Sequence, residues 1–147
     1  MANDNQTIKL LIVDDHKVVR SGIKALVDTE PKLEVIGEAS DGREAVTKFR
    51  TRNPDVILMD LVMPEKDGVE ATKEIVGKDS AVKVLILTSF SEEERIIQTI
   101  KAGASGYLIK DASPTELVQA IKDVYNGEST LDPKVASTVL RSVQEER

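Results

Sequence analysis

Acidic side chains follow two short apolar runs in this sequence, and their chemistry needs an explanation. The run Ile8–Val13 stops at two adjacent aspartates, Asp14 and Asp15, and the run Val56–Met59 stops at Asp60. Crowded carboxylates repel one another, so one would keep its proton unless a cation lies between them. Mg²⁺ prefers oxygen ligands, typically one or two carboxylates together with waters and a phosphate. Three aspartates brought together would therefore form a site for magnesium and a phosphoryl group.

Two further polar residues follow apolar runs in the same way. Thr88 comes directly after "VLIL", and Lys110 comes directly after "YLI". Taken singly, a lysine here is usually just solvated, a threonine is a common structural choice, and an aspartate can be a helix cap. Taken together, a nucleophilic carboxylate, an ammonium and a hydroxyl donor are what phosphoryl transfer requires, because that reaction depends on positioning and charge stabilisation.

The elements that must position these residues alternate between strand-like and helix-like patterns. Four of the five apolar runs are nearly continuous, as in parallel strands covered on both faces. The run Leu33–Ala39 contains Glu34 and Glu38, which indicates an edge strand. The intervening segments have helical spacing, and the pattern predicts five βα units with helices on both faces of a parallel sheet. In such sheets ligands bind beyond the carboxyl ends of the strands.

Helix start and stop signals agree with this division. The capping-box pairs are Asp41/Glu44, Asp67/Glu70, Ser91/Glu94 and Ser113/Glu116, and the predicted C-terminal stops are Gly103 and Gly127. A further helix is predicted to start at Asp132 and Pro133, with Val135, Val139 and Val143 on one stripe. This last helix is interpreted as solvated or weakly docked, with a linker to another domain or a partner-binding helix as the alternatives.

Composition narrows the function classes. The chain has 147 residues, a formal net charge of −6 and no cysteine. The acidic balance argues against nucleic-acid binding by this stretch, which needs a basic surface. The absence of cysteine excludes thiolate metal sites, and His16 is interpreted as a helix residue at the rim rather than a ligand. With no apolar segment long enough to span a bilayer, we expect no membrane partner and a cytoplasmic location.

Four segments carry a family resemblance: "LLIVDDH", "VILMDLVMPEKDGVEA", "VLILTSF" and "AGASGYLIK". In this order and spacing they resemble the receiver domain of bacterial two-component response regulators, over about residues 7–127. The acceptor segment, with "MP" and "DG" after Asp60, is the most specific of the four. "DDH", "GEASDGREA" and "LIKDASPTELVQAI" resemble the subfamily whose receivers precede a helix-turn-helix DNA-binding domain.

The resemblance implies a flavodoxin-like (βα)5 three-layer sandwich with a parallel five-stranded sheet of order 2-1-3-4-5, plus a short C-terminal helix. It implies Asp60 as the phosphorylated carboxylate and Mg²⁺ as the cofactor. The remaining implied roles are Mg²⁺ binding by Asp14, Asp15, Asp60 and the Val62 carbonyl, phosphoryl binding by Thr88 and Lys110, and a conformational switch formed by Thr88 and Tyr107. The domains expected are residues 1–127 as the receiver and residues 128–147 as a linker helix toward an output domain.

Partners follow from the same resemblance. The phosphoryl donor would be a sensor histidine kinase, and phosphorylation would favour a homodimer. DNA would be bound only through an output domain that this chain lacks, so the chain itself is a signalling domain and not an enzyme with a separate substrate. Apolar Val62 and Phe90, which would border the phosphoryl group, predict a long-lived acyl phosphate.

Two features depart from the family pattern or leave alternatives open. Many receivers follow the lysine with a cis-proline, whereas Asp111 follows Lys110 here, so the conformation of that loop is open. A redox flavodoxin would share the architecture, but the acidic "DDHKVV" would repel a flavin phosphate. An aspartyl-phosphate phosphatase would need an aspartate at the position of Val62.

Overall fold

The computed structural model describes residues 6–89 and 93–145. The strands are β1 (Ile8–Val13), β2 (Leu33–Ala39), β3 (Val56–Asp60), β4 (Lys83–Thr88), β5 (Gly106–Ile109) and β6 (Thr130–Leu131). The helices are α1 (Lys17–Val27), α2 (Gly42–Arg52), α3 (Gly68–Lys78), α4 (Glu93–Ala102), α5 (Pro114–Tyr125) and α6 (Pro133–Glu145). Strands and helices alternate along the chain, as the sequence pattern predicted.

All the strand pairs are parallel, and the sheet order is β2-β1-β3-β4-β5-β6. The flavodoxin-like fold and the order 2-1-3-4-5 are confirmed, and β2 is an edge strand as predicted. Strand β6, which pairs with β5 at the opposite edge, is not among the predicted strands. A strand of two residues is too short to show the alternation by which strands are recognised.

The core lies in two apolar layers, one on each face of the sheet. Leu11, Ile57 and Ile86 belong to one layer, and their sequence neighbours Leu10 and Leu58 belong to the other. Successive side chains of a strand point to opposite faces, so a strand covered on both faces must be apolar throughout. This explains why the central runs are continuous rather than alternating.

Most of the predicted helix ends are present. Asp41, Asp67 and Ser113 each accept a hydrogen bond from the backbone N–H three residues later, and Ser113 forms a complete capping box with Glu116. Gly103 and Gly127 have positive φ angles of 106° and 89°, the conformation that favours glycine at a helix end. The fourth predicted box, Ser91 with Glu94, involves a residue outside the described part of the chain.

The C-terminal segment packs against the rest of the molecule. Val135 of α6 is completely buried, and Val139 is partly buried against the same apolar layer, which also contains Ile96 of α4 and Tyr107 of β5. The outer face of α6 exposes Leu140 and Val143, so the predicted stripe is only partly buried. Across residues 6–89 and 93–145, none of the helices has the length and apolar character needed to cross a membrane.

Candidate functional site

The predicted site residues lie at one edge of the sheet, where the parallel strands end. Asp14 follows β1, Asp60 is the last residue of β3, Thr88 is the last residue of β4, and Lys110 follows β5. The Lys110 Nζ lies 3.2 Å from Asp60 Oδ1 and 3.3 Å from Asp14 Oδ2. Residues from three strands, distant in sequence, are thus in direct ionic contact.

Asp15 extends this group into an acidic cluster. One ligand atom from each of Asp14, Asp15, His16 and Asp60 lies within 4.8 Å of the others. Asp14 and Asp60 are only 3% and 6% exposed, so water screens their charges poorly. The three carboxylates face one ammonium group from Lys110, which leaves an excess of negative charge at this edge.

Burial and neighbouring charges shift the protonation equilibria in the cluster. Burial raises the pKa of Asp60, and the Asp14 carboxylate adds to this effect, while Lys110 opposes it. For Lys110, burial acts to lower the pKa, but the carboxylates of Asp60 and Asp14 outweigh burial and raise it. The lysine is therefore held in its charged form, while burial together with the Asp14 carboxylate outweighs its effect on the pKa of Asp60.

The donor set fits a hard divalent cation. Carboxylate oxygens predominate, and Mg²⁺ bound to one or two of them retains waters and leaves room for a phosphoryl oxygen. Val62 lies two residues beyond Asp60 and is 48% exposed. Binding of Mg²⁺ by the Val62 carbonyl remains a prediction.

His16 has a closer relation to the aspartates than the sequence analysis gave it. Its Nδ1 lies 3.1 Å from Asp14 Oδ1 and 3.1 Å from Asp15 Oδ1, and its backbone N–H donates to Asp14 Oδ1 at 2.8 Å. It also occupies the N-cap of α1 without a capping side-chain hydrogen bond. Its adjacency to the acidic pair was the signal for this contact.

Arg20 is a second residue that the sequence analysis missed. Its Nη1 donates to the Asp14 carbonyl at 2.7 Å, and its Nε donates to Glu38 at 3.1 Å. The backbone that carries the acidic pair is therefore fixed by α1 as well as by β1. No local pattern in the sequence reveals this contact, since it depends on how α1 lies against β2.

The two predicted switch residues are both buried. The Thr88 hydroxyl donates to the Ser89 carbonyl at 3.0 Å. Tyr107 is 1% exposed, and its hydroxyl has no hydrogen-bond partner among the described residues. Burial raises the pKa of this phenol, which therefore stays neutral. Tyr107 thus already lies inside the protein while the Thr88 hydroxyl is hydrogen-bonded to the next residue in the chain. Phe90, which is also predicted to border the phosphoryl group, lies outside the described residues.

Backbone contacts hold the ends of β3 and β5. A Cβ at Gly68 would lie 2.2 Å from the Asp60 carbonyl oxygen, so only glycine lets α3 start this close to β3. The Gly68 N–H donates to Leu61 O at 2.9 Å, and the Lys110 N–H donates to Thr88 O at 2.9 Å. The described residues contain no cis peptide bond, so the bond between Lys110 and Asp111 is trans.

The fold and this cluster of residues define a signalling domain of the receiver type. Residues 10–122 match the response regulator receiver domain family, and the chain belongs to that family. It is 47% identical over 133 residues to the transcriptional regulatory protein LiaR of Bacillus subtilis, covering 90% of this chain and 63% of LiaR. It is 43% identical over 129 residues to the response regulator protein VraR of Staphylococcus aureus, covering 88% of this chain and 62% of VraR.

Solved structures agree with this assignment. A two-component response regulator of the LuxR family from Aurantimonas superposes with a TM-score of 0.85 at 36% identity, covering 93% of this chain and 98% of that one. The response regulator ChrA of a heme-sensing two-component system superposes with a TM-score of 0.77, also at 36% identity, covering 94% of this chain and 66% of ChrA. The chain spans less than two thirds of the length of LiaR and of VraR. The activities of those whole proteins are therefore not assigned to this chain.

Proposed function

We propose that this chain is the phosphorylated receiver of a two-component system and that Asp60 accepts the phosphoryl group. The observation that carries this proposal is the buried Asp60 carboxylate, 3.2 Å from the Lys110 ammonium, at the open end of a parallel sheet. Asp60 supplies the nucleophile, and the pKa of Lys110 is raised, which keeps a positive charge beside it. A sensor histidine kinase is the proposed donor.

In the proposed reaction, an Asp60 oxygen attacks the phosphorus of a phosphohistidine. A new O–P bond forms as the P–N bond breaks, and the histidine ring takes the electron pair together with a proton from water. Lys110 then stands between Asp14 and the transferred group and donates to a phosphoryl oxygen. The Thr88 hydroxyl turns from the Ser89 carbonyl toward another phosphoryl oxygen.

Asp14, Asp15, Asp60 and the Val62 carbonyl would hold Mg²⁺. When bound, the ion supplies charge stabilisation for the phosphoryl oxygens during transfer. His16 and Arg20 would orient the acidic pair through the contacts described above, because partners of metal-binding carboxylates fix their direction.

The relatives and the C-terminal segment, residues 128–147, suggest what the receiver would control. LiaR is a transcriptional regulator, so we propose that residues 1–127 form the receiver and that residues 128–147 lead toward a DNA-binding output domain. Phosphorylation would act in the cytoplasm by favouring a homodimer. Thr88 and Tyr107 would form the conformational switch that responds to the phosphoryl group. Val62 beside the acceptor would exclude a hydrolytic water and lengthen the life of the acyl phosphate.

The proposal is tested by the intact mass of the protein after incubation with Mg²⁺ and acetyl phosphate. We expect a gain of one phosphoryl group in the wild type and none in Asp60→Ala. Asp55→Ala is the matched control, because Asp55 directly precedes β3, at the end opposite Asp60, where its carboxylate accepts from the Lys9 backbone N–H. Asp55→Ala should gain the phosphoryl group at the wild-type level.

Two outcomes would contradict the proposal. One is a phosphoryl group that still appears in Asp60→Ala, which would place the acceptor elsewhere. The other is a wild type that gains no mass with Mg²⁺ and acetyl phosphate and binds no beryllofluoride, which mimics the phosphoryl group. Chelation of Mg²⁺ should abolish the mass gain, since the acidic cluster would then repel the donor.

A further inference from the structure

We propose that β6 and α6 position Lys110 for phosphoryl binding. Lys110 directly follows β5, which is only four residues long, and β6 and α6 pack against that strand. The proposal rests on the proposed function, in which Lys110 binds the transferred group. It assigns residues 128–145 a part in the chemistry of the site, in addition to any part they have as a linker.

The backbone of the tail is joined directly to β5. Gly106 pairs with Thr130, Tyr107 pairs with Leu131, and the Asp132 N–H donates to the Tyr107 carbonyl at 3.0 Å. Without β6, β5 would be the sheet edge and would be held from one side only, by β4. A strand this short with one neighbour has few hydrogen bonds to fix its position.

Small and apolar residues allow β6 and α6 to lie close to β5. A Cβ at Gly106 would lie 2.9 Å from the Thr130 carbonyl oxygen, closer than Cβ atoms normally come to other atoms. Val135 is completely buried in the layer that also contains Tyr107 and Ile109. Ile109 is the residue before Lys110, so the apolar layer that α6 joins extends to the base of the lysine.

The proposed Mg²⁺ ligands stand on other strands. Asp14 and Asp15 follow β1 and Asp60 ends β3, and in the sheet order β4 and β5 separate β3 from the tail. Loosening the tail should therefore displace Lys110 while the acidic cluster stays in place. Anion binding and metal binding should respond differently, which a general loss of stability would not produce.

The test uses the whole 147-residue chain with Val135→Ala, and with Val143→Ala as the matched control on the exposed face of α6. Three quantities are measured for each protein: the affinity for beryllofluoride at saturating Mg²⁺, the rate of phosphorylation by acetyl phosphate, and the affinity for Mg²⁺ without beryllofluoride. For Val135→Ala we expect the beryllofluoride affinity and the phosphorylation rate each to fall about tenfold, since a misplacement of about 1 Å can cost roughly 100-fold and a smaller displacement costs less. Its Mg²⁺ affinity should not fall, because moving an ammonium group away from the carboxylates does not weaken a cation site. Val143→Ala should match the wild type in all three measurements.

The outcomes separate the two proposals. If the wild type binds no beryllofluoride and accepts no phosphoryl group, the proposed function itself fails. If the wild type does both and Val135→Ala matches Val143→Ala, the positioning role of the tail is refuted. Equal losses of Mg²⁺ and beryllofluoride affinity would also refute it, because they would indicate a general loosening. Should Val135→Ala not fold, Val139→Ala, at a partly buried position on the same stripe, serves in its place with the same expectations.

Discussion

The two edges of the sheet are protected in different ways. At the β2 edge, side chains from α2 cover the strand: Arg52 donates to the Ile36 carbonyl at 2.6 Å, and Lys48 donates to the Glu38 carbonyl. At the opposite edge, the backbone of β6 pairs with β5, and α6 adds apolar packing. An unprotected edge strand invites pairing with another chain, so both arrangements solve the same problem.

The two edges differ in how firmly the strand next to them is held. Side-chain donors cover individual carbonyls and leave most of β2 only partly buried, so we expect it to tolerate local change. Backbone pairing with close-packed α6 fixes β5 along its first half, and β5 is followed by the lysine of the site. We therefore expect substitutions at the β5 edge to have larger effects than equivalent ones at the β2 edge.

The largest contrast should come from one glycine near each edge of the sheet, Gly37 in β2 and Gly106 in β5. Gly106→Ala would place a Cβ 2.9 Å from a Thr130 backbone oxygen and 3.0 Å from Val124, with nothing flexible to yield on the backbone side. Gly37→Ala would place a Cβ 3.3 Å from the end of the Leu11 side chain, which can shift. We expect the free energy of unfolding to fall by about 3 kcal/mol in Gly106→Ala and by less than about 1 kcal/mol in Gly37→Ala.

Urea unfolding followed by far-UV circular dichroism measures both values. Equal losses in the two variants would contradict the comparison, because they would mean that β6 yields as easily as the Leu11 side chain. A wild-type stability for Gly106→Ala would show that β6 does not need to lie this close to β5.

These two glycines also show how far the sequence alone could lead. The spacing of apolar runs predicts the strands, and the polar residue after each run predicts where the site lies, because strand ends and side-chain alternation are local properties. Gly106 gave no signal, since its role depends on Thr130, which is distant in sequence. The same holds for Arg20 and for β6, whose roles depend on packing between elements and not on any period within one.

The second largest effect should separate the two faces of α6. Val135→Ala removes methyl groups from a completely buried position, which costs about 2 kcal/mol through lost transfer energy and a residual cavity. Leu140→Ala, at a position 60% exposed, should change the free energy of unfolding by less than about 0.5 kcal/mol. Thermal and urea unfolding of both variants test this, and a larger loss for Leu140→Ala would mean that the outer face of α6 carries the packing.

A smaller effect is expected at the β2 edge. Arg52→Met keeps the apolar stem and removes the donor to the Ile36 carbonyl, which water can then reach. We expect a loss of about 1 kcal/mol, the usual net value of one such hydrogen bond. Sedimentation velocity on Arg52→Met and on the double variant Lys48→Met/Arg52→Met tests the edge directly. Faster-sedimenting species in the double variant would support protection of β2 by these side chains, and a monomer of wild-type stability would contradict it.

The smallest effect should also be the one most sensitive to solvent. Burial acts to raise the pKa of Glu38, but Arg20 and Lys24, at 3.1 Å and 3.4 Å from its carboxylate oxygens, outweigh burial and lower it. A carboxyl with a lowered pKa in the folded state contributes stability above its unfolded pKa, and this contribution is lost as the pH falls through the folded value. For a partly exposed pair this amounts to about 0.5 kcal/mol at neutral pH.

Glu38→Gln should therefore be slightly less stable than the wild type at pH 7 and equal to it well below the pKa of Glu38. Added salt should narrow the difference at pH 7, because it screens a pair near the surface. Val135→Ala provides the contrast, since an apolar contact at the β5 edge carries no charge and its effect should be the same at both pH values and both salt concentrations. If salt and pH leave the Glu38→Gln difference unchanged, the β2 edge depends on packing as the β5 edge does, and the distinction between charged and apolar protection of the two edges is wrong.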